Sequence, residues 1–475
     1  MKKIVKRKNQ YYSMMPKIIR YSLIYKWLYL SIAFTLIGRP AICGEKFEPK
    51  EGCYIGMALD WADIATEKNS KNITQKFSDA IAKFNNETGK AHALVKQFIY
   101  FPHGAQWENK SLLGKFPAWN NDPAGWASCE EFCKAVDING GTPAIVLEPQ
   151  AYFEYFYNEW QKGNPAYEAT VNFAEACAKF KKPIFIIFAH EMNGSWYPWS
   201  AWIDRNSNLT QDKGEETGHT PEKYQEAFRN VSNIFHKKAP NVAMVWCPNQ
   251  GWLGKGRVDP YTQFYPGDEY ADWVGLDFYE RGWDMPPRDA KLWGGLFIHG
   301  LTHDSMDNPD TEESESVNFY KTFCEEKNKP LMLSETGATC TYRTDLTERD
   351  RKEMSYNWKA QRWNSKEYGW LISVYGTSYF DKFQIDYPID KMLPKLKAII
   401  WFNQAKSEDI PAKKISEDKS KIEIVWFKKG WFDYRIGWDS VSETNKYAPD
   451  NKYPDEISLY SLLIGSDYFI SKVRP

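Results

Sequence analysis

Residues 183–191 read Pro-Ile-Phe-Ile-Ile-Phe-Ala-His-Glu. A near-continuous apolar run ending in two polar residues is not the alternating pattern of a half-buried strand. It fits a parallel strand covered on both faces, with its polar end leaving the core. Three similar runs precede it: YIGMALD (54–60), LVKQFIYF (94–101) and TPAIVLEP (142–149). Four follow it: NVAMVWCPN (241–249), WVGLDFY (273–279), PLMLSETG (330–337) and LKAIIWFN (396–403). Amphipathic stretches at 73–86, 130–138, 165–180, 221–238, 316–327 and 348–368 lie between most of them. Thr220-Pro221 reads as a helix N-cap followed by Pro at the first helical position. Strand–helix units in this series predict an α/β fold, a (β/α)8 TIM barrel. An open doubly wound sheet is the alternative, and the strand count and the lack of a GxGxxG turn weigh against it.

Long connections at 192–220, 280–315 and 338–395 follow the C-terminal ends of strands, where barrel enzymes build their sites. The stretch 405–421, AKSEDIPAKKISEDKSK, reads as a charged, solvated loop. IEIVWF (422–427) reads as a return to order, and 457–470 as the last helix, closing the barrel.

The chain has 475 residues, with 43% hydrophobic and 26% charged, a globular balance. Its formal net charge is −1, but nine of the 61 Lys+Arg residues and none of the 62 acidic ones lie in residues 1–44. That leaves 52 bases against 62 acids in the rest. An acidic body argues against nucleic acid and anionic membrane surfaces as partners. Within the basic stretch, Trp27 to Gly38 is too short for an ordinary transmembrane helix and suits a signal-peptide core. Ala41-Ile42-Cys43 supplies small residues at −3 and −1 of a cleavage site, and Pro40 opposes lipidation of Cys43. Residues 1–44 are therefore expected to be a signal peptide or N-terminal membrane anchor, and 45–475 the catalytic domain of a secreted, periplasmic or cell-surface protein.

Export permits disulfides. The eight cysteines, Cys43, Cys53, Cys129, Cys133, Cys177, Cys247, Cys324 and Cys340, are too sparse for a disulfide scaffold. They predict buried thiols or one or two bridges. No CxxC pair with a His partner suggests zinc, and no EF-hand loop suggests calcium. Neither a metal nor a cofactor is expected. The 21 Trp, 29 Tyr and 27 Phe suit the flat apolar faces of sugars as well as a core.

The sharpest feature is a pair of carboxylates. Glu191 ends the fourth strand candidate in FAHEMNGSWYPW, and Glu335 ends the seventh in PLMLSETG. In a closed barrel both ends face one mouth. Glycoside hydrolysis needs two such groups: an acid for the leaving oxygen, and a nucleophile or a base for water. A separation of roughly 5–5.5 Å implies retention of configuration, a wider one inversion. Glu148, Asn249, Gln250 and Asp277 also lie near strand ends, with Asp277 on the same strand face as Tyr279.

His190-Glu191-Met192-Asn193-Gly194, followed by Trp196-Tyr197-Pro198-Trp199, resembles the acid/base motif of glycoside hydrolase family 26, the β-mannanase family. ADWVGLDFY (271–279), SETG (334–337), KLKAIIWFN (395–403) and DYRI (433–436) resemble later segments of it in order, so the likeness spans roughly 52–470. It implies a retaining, metal-independent endo-glycosidase acting on a polysaccharide, with Glu191 as acid/base and Glu335 as nucleophile. By the same likeness His190 hydrogen-bonds near the reaction centre, Trp196 flanks the acid, Tyr279 orients the nucleophile and Trp401 lies under the sugar. Trp199, Trp202, Trp246 and Trp252 read as outer subsites or packing. Many mannanases of the family read W-F-W-W-G after the acid. The Tyr-Pro-Trp form here resembles members that cut mixed-linkage β-glucan or act on exopolysaccharide. A barrel that binds polysaccharide without cutting it, and a transglycosylase, are the alternatives; no stable protein partner is indicated. Asn193 lies in a glycosylation sequon, and a glycan there is incompatible with this site.

Overall fold

The computed structural model describes residues 45–473, apart from 62–63, 65–71, 102–128, 206–211, 251–260, 281–295, 303–317, 339, 343–365, 380–384, 386, 416–421, 435 and 437–453. The export segment 1–44, with Cys43, and Trp252 lie outside the described residues.

The strands are β1 (Cys53–Leu59), β2 (Leu94–Tyr100), β3 (Thr142–Glu148), β4 (Ile184–Phe188), β5 (Val242–Trp246), β6 (Trp273–Glu280), β7 (Leu331–Ala338), β8 (Cys340–Tyr342), β9 (Leu396–Asn403), β10 (Ala405–Ile415), β11 (Ile422–Asp433) and β12 (Phe469–Ile470). β1 to β7 and then β9 pair in chain order, all parallel. β9 pairs back onto β1 from Tyr54↔Ala398 to Leu59↔Asn403. The sheet is thus a closed eight-stranded parallel barrel. β12 adds to β1 at Cys53 and Tyr54, also parallel.

Alternation along each strand sorts the side chains into two cores. Ala58, Val146, Ile187, Val245, Met332 and Ile400 fill the lumen. Met57, Ile145, Ile186, Met244, Leu333 and Ile399 face the helices. Each is fully buried, and burying a large aliphatic side chain stabilises by about 1.5–3 kcal/mol.

The helices dock as their sequences direct. In α1 (Ile73–Thr88) the buried residues Ile73, Phe77, Ile81, Phe84 and Thr88 recur every three or four positions, and Gly89 ends the helix in the left-handed conformation. α2 is Cys129–Ile138. α3 (Pro165–Phe180) starts at Asn164, whose side chain accepts from Tyr167 N. α4 (Pro221–Lys238) starts at Thr220, whose hydroxyl accepts from Lys223 N, with Pro221 first in the helix. Short helices follow at α5 (Tyr261–Phe264) and α6 (Leu296–Thr302), then a π-helical turn at Tyr320–Glu326. α7 (Lys366–Tyr375), α8 (Ile389–Met392) and α9 (Pro454–Ile464) complete the shell.

The end of the barrel opposite the mouth is plugged. Phe47 packs edge-on against Phe185 at 5.7 Å. The Trp273 indole donates to Lys46 O, and the Tyr54 hydroxyl donates to Phe47 O. Glu45 and Glu48 pair with Lys329 and Lys395. The barrel is therefore entered by ligands from the other end.

Three expectations need correction. The fourth strand stops at Phe188, so Glu191 lies three residues beyond it. Within 405–421, residues 405–415 are not a loop. They are β10, paired antiparallel with β11, which pairs in turn with β8. The segment 457–470 is helical only to Ile464, and its end is β12. Of the helix expected over 348–368, residues 348–365 lie outside the described residues, and the observed α7 begins at Lys366. Among the described residues Cys53, Cys129, Cys133, Cys177, Cys247 and Cys324 are buried free thiols.

Candidate active site

Glu191 reaches the mouth through an unusual backbone. Ala189 (φ 48°) and Glu191 (φ 52°) are both left-handed, a conformation that costs a residue bearing Cβ about 1 kcal/mol or more. The strain is held from both sides: Ala189 N donates to Leu147 O in β3, and Glu191 N to Cys247 O just past β5. The path turns the Glu191 side chain to two donors. Asn249 Nδ2 donates to Oε1 at 2.6 Å, and the Trp196 indole donates to Oε2 at 2.8 Å. Asn193 locks the loop by taking Asn249 N on its Oδ1 and giving its Nδ2 to Asn249 O. It is 2% exposed, which leaves no room for a glycan.

Gly194 is what lets Trp196 fold back onto Glu191. A Cβ there would sit 2.6–2.8 Å from the indole ring. Gly194→Ala is therefore expected to push Trp196 off Glu191 and cut kcat/KM about tenfold or more, with little change in unfolding midpoint. Steady-state kinetics beside a urea melt checks this; normal kinetics would refute the role given to Gly194.

Glu335 is aimed by a bulge in β7. Leu276 pairs with Leu333, but the next residue, Asp277, pairs with Glu335. On the other side the register passes from Leu333 to Thr336. A bulge lets two successive side chains serve one face. Accordingly Lys96 Nζ, from β2, reaches both Ser334 Oγ (2.8 Å) and Glu335 Oε1 (2.7 Å). The Tyr279 hydroxyl donates to Oε2 at 2.6 Å. Thr336 accepts from the Trp370 indole, tying the segment to α7.

The electrostatics follow from these partners. Burial alone would raise the Glu335 carboxyl, but the Lys96 ammonium, His190 and the Lys96 and Tyr279 hydrogen bonds hold it down at about 2. Asp277, fully buried, is pushed well up by desolvation and by Glu335. It accepts from the Cys247 thiol. His190, Asp277 and Glu335 bring one ligand-type atom each within 4.8 Å of one another. By spacing they could hold a metal ion, but a cation, Lys96, already stands against Glu335. Burial lifts the Tyr197 hydroxyl, and so do Glu191, Glu148, Glu335 and Asp277, whose fields all reach it. The fields of Glu191 and Glu335 thus meet at Tyr197 and at Asp277.

The motif residues are placed as follows. Tyr197 Oη lies 3.1 Å from His190 Nε2 and stacks on Trp199 at 4.2 Å. The Trp199 indole donates to His190 O. Trp199 is therefore a buried prop for His190 rather than a subsite. Trp196 is 37% exposed, as a ring beside a sugar must be. Trp401 departs from the expected position under the sugar, and Trp246 takes the packing reading. Both are fully buried on the outer face of their strands. Trp401 donates to Tyr434 O and packs towards Tyr375 and Tyr460; Trp246 packs against Tyr265 and Phe323. Neither ring faces the lumen. On the lumen side, Phe402 and Tyr434 both lie beside Tyr279. Trp202 is buried. Lys96 and Tyr197 escaped the sequence reading. The signal for Lys96 was present: one Lys inside an otherwise apolar strand must find an anion.

The family model described as Glycosyl hydrolase family 26 matches residues 167–292. Endoglucanase H of Acetivibrio thermocellus is 28% identical over 223 residues, 46% of this chain and 20% of that protein. A beta-1,3-xylanase of Vibrio sp is 26% identical over 142 residues, 27% of this chain and 25% of that one. The matches thus span a quarter or less of those relatives. The catalytic domain of a Bacillus sp. JAMB-750 endo-beta-1,4-mannanase superposes with a TM-score of 0.43 at 14% identity, covering 88% of this chain and 87% of that one. The barrel itself rests on the strand pairing above. The family match thus covers β4, β5, β6 and the Glu191 loop, and over residues 167–292 the chain is similar to glycosyl hydrolase family 26.

Proposed function

We propose that the protein is an exported, retaining endo-β-glycosidase that hydrolyses a β-1,4-linked polysaccharide, β-mannan or mixed-linkage β-glucan, by double displacement. The observation that carries this is the unequal dressing of two carboxylates in one mouth. Glu335 is gripped by a cation and a phenol and stays ionised, as a nucleophile must. Glu191 is held by two neutral donors, Asn249 and Trp196, and keeps an edge beside an exposed indole.

In the first step a Glu335 oxygen attacks the anomeric carbon while Glu191 gives its proton to the departing glycosidic oxygen. In the second, Glu191 takes a proton from water, whose oxygen displaces Glu335. Export is inferred from residues 1–44. Among the described residues no helix is long and apolar enough to cross a membrane.

Glu191→Ala tests the acid role. Release of reducing ends from the preferred polymer is expected to fall about 10³-fold. A dinitrophenyl β-glycoside, whose leaving group needs no proton, is expected still to give a burst. Azide is expected to restore turnover and appear as a β-glycosyl azide. An equal loss on both substrates with no azide effect would remove Glu191 from this role. If the wild type cuts none of β-mannan, mixed-linkage β-glucan, β-1,3-xylan or laminarin but is retarded in gels containing one, the barrel binds without cutting.

A further inference from the structure

Glu148 closes β3 at the mouth and is used by neither half of the mechanism. It is 7% exposed. Gln150 Nε2 donates to its Oε2 at 3.2 Å. Gln150 itself is left-handed (φ 50°), so the turn after β3 is strained into a shape that keeps this amide on the carboxyl. The charged and titratable groups around Glu148 come from every adjoining element: Lys96 and Tyr100 from β2, Glu335 from β7, and Glu191 and Tyr197 from the loop after β4. Burial, then Glu335, push the Glu148 carboxyl up to about 7, with Glu191 adding and Gln150 and Lys96 opposing. Tyr100, 37% exposed, stands four residues beyond Lys96 on the same strand face. Burial and Glu148 raise its hydroxyl.

The charge balance of the mouth is lopsided. Glu148, Glu191, Asp277 and Glu335 converge on it, and the Lys96 ammonium is already taken by Glu335. A hydroxyl entering this field finds acceptors, whereas a carboxylate meets repulsion once Glu148 is ionised.

We propose that Glu148 binds substrate and sets its charge class: its carboxyl hydrogen-bonds a hydroxyl of the sugar held against Glu335 and turns away sugars that carry a carboxylate. The substrate is then an uncharged glycan. This rests on the glycosidase reading and sharpens it.

The test compares wild type, Glu148→Gln and Glu148→Ala on the polymer the wild type cuts best and on its carboxymethylated form. Each is assayed at about pH 5.5 and about pH 8.5, either side of the Glu148 titration. Glu148→Ala is expected to raise KM for the neutral polymer about tenfold with a smaller change in kcat. In the wild type, preference for the neutral polymer is expected to grow about tenfold between the two pH values, as the carboxyl ionises. In Glu148→Gln, isosteric and uncharged, that growth is expected to vanish. An unchanged KM in the alanine variant, or the wild-type pH response persisting in the glutamine variant, overturns the assignment of Glu148 alone. Cleavage of neither polymer by the wild type overturns the glycosidase reading and this proposal with it.

Discussion

Glu335→Gln is expected to leave a folded protein that releases essentially no reducing ends, a loss of about 10⁴-fold or more in kcat. The substitution keeps the hydrogen-bond pattern within reach. The amide oxygen can take the Lys96 ammonium and the amide nitrogen can donate to the Tyr279 hydroxyl, where the carboxylate took both. What it removes is the charge and the ability to form a glycosyl ester, so the loss is chemical rather than geometric. It also leaves Lys96 buried without a counter-ion, so the unfolding midpoint is expected to drop. A measurement independent of that drop uses the wild type. A 2-deoxy-2-fluoro glycoside with a good leaving group should label one peptide, the one containing Glu335. A label on Glu191, or none with a glycoside of the preferred sugar, would end the nucleophile assignment.

The barrel was legible because parallel strands covered on both faces leave long apolar runs. Ile184–Phe188 and Leu396–Asn403 are cases where the run is nearly the strand. The same property hid the site's details. Where both faces are apolar, period-two alternation leaves no trace in hydropathy, so nothing in AIIWFN says which of Trp401 and Phe402 faces inward. The structure puts Phe402 in the lumen core and Trp401 in the outer one. Trp246 was left open between subsite and packing for the same reason.

The β7 bulge was equally invisible. It depends on the registers of two neighbours at once, and SETG carries no signal for it. β10 failed differently: AKSEDIPAKKI is charged and holds a Pro, and only its ladder with β11 makes it a strand. What the sequence did reveal of the site was its chemistry-bearing block. HEMNG contains Glu191, the Asn that locks its loop and the Gly that admits the indole.

Lys96→Met is expected to cost about 10²–10³-fold in kcat/KM at neutral pH, although Lys96 touches no substrate in the mechanism above. Glu335 is fully desolvated, and desolvation is the largest influence on it. Lys96 is the chief influence opposing it. Without the ammonium the carboxyl must rise from about 2, so a pH-rate profile should show an acidic limb displaced upward. The sign follows from which form reacts: the nucleophile works ionised, so raising its pKa removes activity from the acid side first. Stability is expected to move in parallel. The folded-state pKa of Glu335 is depressed, so its contribution is present above the unfolded value of 4.5 and lost as pH falls towards 2. The folded-state pKa of Lys96 is raised, so its contribution is present below 10.5 and lost as pH climbs past the folded value. Breaking a buried pair from one side costs about 3–5 kcal/mol, and Met also gives up the ammonium's place over the Phe98 ring, 4.9 Å from its centroid. Should the variant fold, a merely structural Lys96 would lower the melting midpoint and leave the acidic limb in place. That outcome would reduce Lys96 to a core cation and leave His190 and Tyr279 to hold Glu335 ionised.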